Sequence, residues 1–179
     1  MDLAPLLAAG VPILGWTTHS TWLARRLATA RRDPLTGLLT RDGFTARAER
    51  LIRSHPDRVT VLLIDLDDFK TVNDTHGHAA GDTVLSATAR RITDWCGTHG
   101  LAARLGGDEF AAVVLDSADR LPALYAALHE PVPHGVLLLD VGASVGASHP
   151  AALLLTEALS AADRAMYAQK PDGRTSRRR

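Results

Sequence analysis

A chain of 179 residues, with 20 basic and 20 acidic side chains and therefore no formal net charge, can hold one domain with a real core, and its bulk electrostatics give no reason to bind nucleic acid. Its single cysteine, Cys96, excludes an internal disulfide framework and fits a reducing compartment. The eight histidines are scattered, with no Cys/His cluster at zinc spacing.

The chain opens on Leu3 to Leu23, which contains no Asp, Glu, Lys or Arg and is long enough to cross a bilayer. Two readings stay open. One is a single span, whose flank of Arg25-Arg26 and Arg31-Arg32 would keep the following domain in the cytoplasm, anchored to the inner face of the membrane. The other is a soluble apolar helix, favoured by Pro5, Pro12 and the polar Thr17-Thr18-His19. No basic residue precedes the run, which disfavours a cleaved signal peptide. Ser20 to Arg32 reads as a helix capped by Ser20 and stopped before Pro34, whose ring disfavours helix at Asp33.

Beyond Pro34 helices and strands alternate. Arg41 to Ser54 is an amphipathic helix with Phe44, Ala48, Leu51 and Ile52 on one side, closed by His55-Pro56-Asp57. Val59 to Leu66 is a continuous apolar run ending in acid, as expected of a buried central strand whose end opens on a site. Ala79 to Trp95 is the longest helix. Leu101 to Leu105 and Phe110 to Leu115 read as strands of a hairpin, followed by a short helix at Leu121 to His129, a strand from Val136 to Val145 and a last helix from Thr156 to Lys170. This order predicts one α/β domain with helices on a mixed sheet.

Three places carry chemistry. At Gly106-Gly107-Asp108-Glu109-Phe110 a turn without side chains lets backbone N–H groups approach a polyphosphate, with two carboxylates directly behind it; a plain solvated hairpin turn would look similar. Asp65-Leu66-Asp67-Asp68-Phe69-Lys70 puts carboxylates where a buried strand gives way to a loop. Asp65 can pair there with Asp108 across neighbouring strands to hold magnesium, the bland counterpart being an acidic loop paired with Lys70. Asn73 and Asp82 flank the Gly77-His78 turn and have the groups that read a guanine edge, an amide for O6 or N7 and a carboxylate for N1–H and N2–H₂; Asp82 would otherwise be an ordinary acid early in a helix.

In order and spacing, these segments resemble the GGDEF domain, the diguanylate cyclase family. Asp33-Pro34-Leu35-Thr36-Gly37-Leu38 resembles the family's opening signature, and Asp65 to Lys70 with Val72-Asn73-Asp74 its metal and substrate segment. Gly77-His78 and Gly81-Asp82, the GGDEF hairpin, Ala143-Ser144-Val145-Gly146, Ala162-Asp163-Arg164-Ala165-Met166-Tyr167, Lys170 and Gly173-Arg174 follow in the family's order. The resemblance implies a cyclase-like palm, an α/β fold with a mixed sheet of about five strands wrapped by helices and the GGDEF β-hairpin at the active edge. It divides the chain into an apolar segment and linker helix at 1–32, the GGDEF domain at 33–175 and a basic tail at 176–179.

The resemblance further implies condensation of two GTP into cyclic di-GMP with release of two pyrophosphates. Asp65, Asp108 and the Leu66 carbonyl would bind magnesium, at least two ions per active dimer, with manganese as a substitute. Asn73 and Asp82 would read guanine, His78 would lie beside the nucleotide, and Gly106 and Gly107 would make room for its phosphates. Lys70, Lys170 and Arg174 would neutralise the triphosphate, and Asp108 or Glu109 would take the 3′-hydroxyl proton. Each domain would supply half a site, so that a homodimer is required, with the helix before Asp33 setting the pairing. The alternative is a catalytically silent GGDEF module that binds GTP, cyclic di-GMP or a partner protein. Where many members carry an Arg-x-x-Asp inhibitory site for the product, this chain has Gly97 and Gly100. Thr40 and His76 also depart from the usual residues, and the stretch from Asp116 to Gly135 is shorter than usual.

Overall fold

The continuous apolar run at Val59–Leu66 forms strand β1, and its lack of alternation has a simple cause: both of its faces are covered. The structure, a computed structural model, describes residues 31–149 and 154–169. In chain order these form α1 (Arg41–Ser54), β1 (Val59–Leu66), α2 (Phe69–His76), α3 (His78–Cys96), β2 (Gly100–Gly106), β3 (Glu109–Leu115), α4 (Leu121–Leu128), β4 (Val132–His134), β5 (Leu137–Leu139), β6 (Ala143–Ser148) and α5 (Leu155–Gln169). The main sheet has the order β2-β3-β1-β6, and β4 pairs with β5 apart from it.

Side chains alternate across this sheet. Leu62, Ile64 and Leu66 of β1, with Phe110, Ala112 and Val114 of β3, pack against α3, α4 and the small β4–β5 sheet. Val59 and Val61, with Ala111, Val113 and Ala103, face α1 and the start of α5. Ile52, Leu62, Ile64, Ile92 and Leu124 are almost wholly excluded from water, each contributing about 1.5–3 kcal/mol of burial. Helix α1 starts where expected because the Gly43 N–H donates to the Thr40 hydroxyl oxygen, so threonine serves as the cap at this position. Cys96, the last residue of α3, is buried, and burial pushes its thiol up to about 12 against the opposing pull of the Arg120 charge.

Four features differ from the sequence expectations. Every ladder of the main sheet is antiparallel and the sheet has four strands, rather than about five in mixed directions. Its nearest approach to a fifth, parallel strand is a one-residue bridge of Leu39 to Ala103, after which α1 begins. The single strand expected over Val136–Val145 is divided into β5 and β6, with β4 ahead of them. Gly135 turns the chain at φ +60, and Val136, Leu137 and Leu138 project into solvent. The segment after Asp68, read as loop, is the helix α2. Arg32, expected as the end of a helix, bridges Leu39 in extended pairing; residues 1–30 of the N-terminal segment lie outside the described residues, as do Lys170 and Arg174. Among the described residues no helix is long and apolar enough to cross a membrane.

Candidate active site

The C-terminal end of β1 and the β2–β3 turn meet. Asp65 sits opposite Glu109 in the β1–β3 ladder, and the Leu66 N–H donates to the Asp108 carbonyl at 3.4 Å. The expected neighbours Asp65, Leu66, Asp108 and Glu109 are therefore gathered at one end of two central strands. Asp65 and Asp108 are half-buried, while Glu109 is exposed and lies 3.9 Å from Arg41 at the start of α1. An exposed pair at that separation contributes little to stability, so Glu109 is not locked by it.

Beyond Leu66 the loop is fixed from the other side. The Asp67 N–H donates to the Gly142 carbonyl at 2.9 Å, and the Ser144 hydroxyl donates to the Asp67 carboxylate at 2.7 Å. Asp68 takes a left-handed conformation at φ 51, which short polar residues tolerate, and turns the chain into α2. The backbone N–H groups of the first turn of α2 are thereby brought to the loop that carries the carboxylates, with exposed Lys70 in the same turn.

Helices α2 and α3 form a tight pair joined at Gly77. A Cβ on Gly81 would lie 2.1 Å from the Asn73 amide oxygen, so glycine is what lets the Asn73 side chain sit against α3. Asp82 is the next residue on α3 and is exposed, as is His78 at the start of that helix. The Asn73 side chain of α2 thus lies against Gly81 of α3, the residue before Asp82.

The β2–β3 turn itself is built on glycine: Gly107 has φ +52, a conformation that side chains disfavour. The register of β2 against β3 shifts between Arg104 and Gly106. Arg104 Nε and Nη2 donate to the Gly107 carbonyl at 2.9 and 2.7 Å, and Arg104 Nη1 lies 3.3 Å from the Asp33 carboxylate. Sequence reasoning passed over Arg104 and Arg41, and it placed Ser144 in the Ala143–Gly146 motif without its bond to Asp67. A charged side chain inside the apolar run Leu101–Leu105 was the available signal for Arg104. Burial raises the Asp33 carboxyl, but the Thr36 hydroxyl and N–H, followed by the Arg104 charge, outweigh it and hold Asp33 below the ordinary aspartate range.

Among the described residues no three His, Cys, Asp or Glu side chains form a metal-binding group. Asp65 and the Leu66 carbonyl at the end of β1, with Asp108 in the β2–β3 turn, are hard oxygen donors that would suit magnesium, with water and a ligand's phosphates as its other partners. The glycines at the positions of the inhibitory motif have structural uses. Gly97 ends α3 at φ +52, and a Cβ on Gly100 would lie 2.7 Å from the Val113 carbonyl.

Comparison with known proteins bears on this arrangement. The sequence profile of the family described as diguanylate cyclase, GGDEF domain, matches residues 30–176. An uncharacterized 19.3 kDa protein in the repSA 5′ region of Streptomyces ambofaciens is 58% identical over 172 residues, covering 93% of this chain and 92% of that protein. The diguanylate cyclase TpbB of Pseudomonas aeruginosa is 40% identical over 166 residues, which cover 83% of this chain but 37% of TpbB. Among solved structures, the coiled coil and GGDEF domain of DgcB from Caulobacter crescentus, in complex with c-di-GMP, superposes with a TM-score of 0.73 at 25% identity, covering 97% of each chain.

Proposed function

Since the chain belongs to the GGDEF domain family, we propose that it is a diguanylate cyclase, joining two GTP into cyclic di-GMP with release of two pyrophosphates. The observation that carries this reading is the convergence of two recognition elements on one loop. The carboxylates at the end of β1 and in the β2–β3 turn lie at one end of the Asp67–Asp68 loop, and the Asn73/Asp82 helix pair follows from the other.

Asn73 and Asp82 hydrogen-bond the guanine edge, the Asn73 side chain being set against Gly81 beside Asp82 before substrate arrives. His78 lies beside the nucleotide. The triphosphate runs from there toward the first turn of α2 and the Gly106–Gly107 turn, where backbone N–H groups and Lys70 meet its charge. Lys170 and Arg174 add to that neutralisation. Asp65, Asp108 and the Leu66 carbonyl would hold magnesium, or manganese in its place, and the bound cation supplies charge stabilisation at the phosphates. In each of the two steps the 3′-oxygen of one GTP forms a bond to the α-phosphorus of the other, the bond from that phosphorus to the bridging oxygen breaks, and pyrophosphate leaves with the electron pair. The hydroxyl proton passes to a carboxylate of the hairpin, Asp108 or Glu109. Each chain presents one guanine-reading pair and one hairpin, so two chains must face each other for the 3′-oxygen of one nucleotide to reach the other.

The test is mass spectrometry of the products formed from GTP and magnesium by the full chain, over a range of protein concentrations, beside Asp108→Ala. Cyclic di-GMP from the wild type alone, with turnover per chain rising steeply with concentration, is the expected result. Bound GTP without product at any concentration would leave the silent module in its place. With glycine at positions 97 and 100, added cyclic di-GMP should not inhibit the reaction through the family's inhibitory motif; inhibition lost on changing residues around Gly97 or Gly100 would contradict this.

A further inference from the structure

Asp67 stands between Leu66, at the end of β1, and the helix α2, and its N–H belongs to the same peptide unit as the Leu66 carbonyl. That N–H donates to the Gly142 carbonyl at 2.9 Å, on the β6 side of β1. Among the described residues no peptide is cis, so the C=O of the unit points opposite to its N–H. The Leu66 carbonyl is therefore turned away from β6, to the side on which the Leu66 N–H meets the Asp108 carbonyl. The Asp67 side chain is held as well. Its carboxylate accepts from the Ser144 hydroxyl at 2.7 Å, and both residues are half-buried. Ser144 faces Asp65 in the β1–β6 ladder, so this bond runs diagonally between the strands. Glycine at 142 leaves room for it: a Cβ there would lie 2.8 Å from Asp67 Oδ2.

An antiparallel pair of strands needs neither the diagonal bond nor the missing side chain. We propose that Ser144, Asp67 and Gly142 are positioning residues for the cation. They fix the Leu66–Asp67 peptide, so that its carbonyl oxygen stays aimed toward the hairpin that carries Asp108. The proposal rests on reading the Leu66 carbonyl as a cation ligand, and goes beyond that reading in naming the residues of β6 that aim it. Magnesium demands near-ideal octahedral geometry. A carboxylate on a flexible side chain can follow the ion, whereas a main-chain carbonyl is a ligand only where its peptide plane has been set. Partners that orient the ligands of a metal in this way are worth about 10–100-fold in affinity or activity.

The test uses the full chain and begins with a readout that needs no turnover. Manganese binding is followed by electron paramagnetic resonance with 3′-deoxy-GTP, which cannot be condensed, in wild type, Ser144→Ala, Ser144→Thr, Gly142→Ala, Asp67→Asn and Asp65→Asn. The expected result is a Kd for manganese weaker by about ten-fold or more in Ser144→Ala and Gly142→Ala, and close to wild type in Ser144→Thr, which keeps the hydroxyl. Asp67→Asn, whose amide oxygen can still accept from Ser144, loses less than Asp65→Asn. Without metal or nucleotide, exchange of the Asp67 amide hydrogen should quicken by about ten-fold in Ser144→Ala while Val61–Ile64 of β1 stays unchanged, as for a local opening. In GTP turnover the magnesium concentration giving half the maximal rate rises in step with the manganese Kd, and saturating magnesium restores most of kcat. Should Gly142→Ala fail to fold, the Ser144 variants carry every readout. Wild-type manganese affinity in Ser144→Ala would overturn the proposal. A loss in Asp67→Asn as large as in Asp65→Asn would overturn it too, by making the Asp67 carboxylate itself a ligand. Manganese bound by a wild-type protein that forms no cyclic di-GMP would refute the cyclase reading, and the affinities of the variants would still decide the positioning of Leu66.

Discussion

The described residues form two glycine-turned β-hairpins, and they differ in nearly everything but the turn. The β2–β3 hairpin has seven-residue strands, joins the central sheet and has its turn held by Arg104, whose other end is fixed at Asp33. The β4–β5 hairpin has three-residue strands in a sheet of their own, and its tip of Val136, Leu137 and Leu138 stands in solvent. Hydrophobicity would rank the second as the better buried. What separates them is the number of distant attachments each turn has, and this decides which can hold a ligand at fixed geometry.

The comparison can be broken most directly at Asp108. Asp108→Ala should reduce cyclic di-GMP formation by several kcal/mol of barrier, roughly 10²–10⁴-fold, while the melting temperature stays close to that of wild type; equal losses of both would make the hairpin a stability element. A smaller effect is expected at Gly81. Gly81→Ala puts a methyl where the Asn73 amide oxygen lies, so the amide must move; KM for GTP should rise about ten-fold and the preference for GTP over inosine triphosphate should narrow. An unchanged KM would remove Asn73 from the base-reading pair.

Acid sharpens the comparison further. Asp33 is held below its ordinary value when folded, so it contributes stability above that value, and the contribution disappears as pH falls through about 4 toward the lower folded value. Melting temperature should therefore drop more steeply below about pH 4 in wild type than in Asp33→Asn; parallel curves would show that the link to Arg104 carries no measurable stability. The smallest effect belongs to the other hairpin. Leu138→Ser, at an exposed tip, should change stability by no more than about 0.5 kcal/mol and leave turnover alone. A loss of activity there would mean that the β4–β5 tip takes part in pairing two chains.

The elements legible in the sequence are those where several local signals agree. Helix α1 carries an apolar stripe through Phe44, Ala48 and Ile52 and is closed by His55-Pro56, and β1 is a run of apolar residues long enough to need cover on both faces. Helix α2 was not legible because none of its residues is fully buried, its apolar face is only Phe69 and Val72, and its start depends on a left-handed Asp68. Asp65, Leu66, Asp108 and Glu109 could be brought together in advance because one apolar run ends in acid and another starts directly behind acid, as antiparallel neighbours would. Ser144 with Asp67, and Arg104 with Asp33, could not, since their partners lie 77 and 71 positions apart and nothing in the sequence pairs them. The Val136–Val145 strand was misread for the opposite reason. Its apolar run follows strand chemistry, but Gly135 turns the chain ahead of it, and β6 is made of small residues with no run to recognise.

The burial of Cys96 has a practical consequence. A thiol raised to about 12 and enclosed in the core is almost entirely protonated at neutral pH, so maleimides and other thiolate-seeking reagents should pass the native protein by. The wild-type chain thus offers a blank background for site-directed spectroscopy. A cysteine placed at Val136 would be the sole reactive handle, and a spin label there would report the spacing between two copies without any need to strip the native sulfur first.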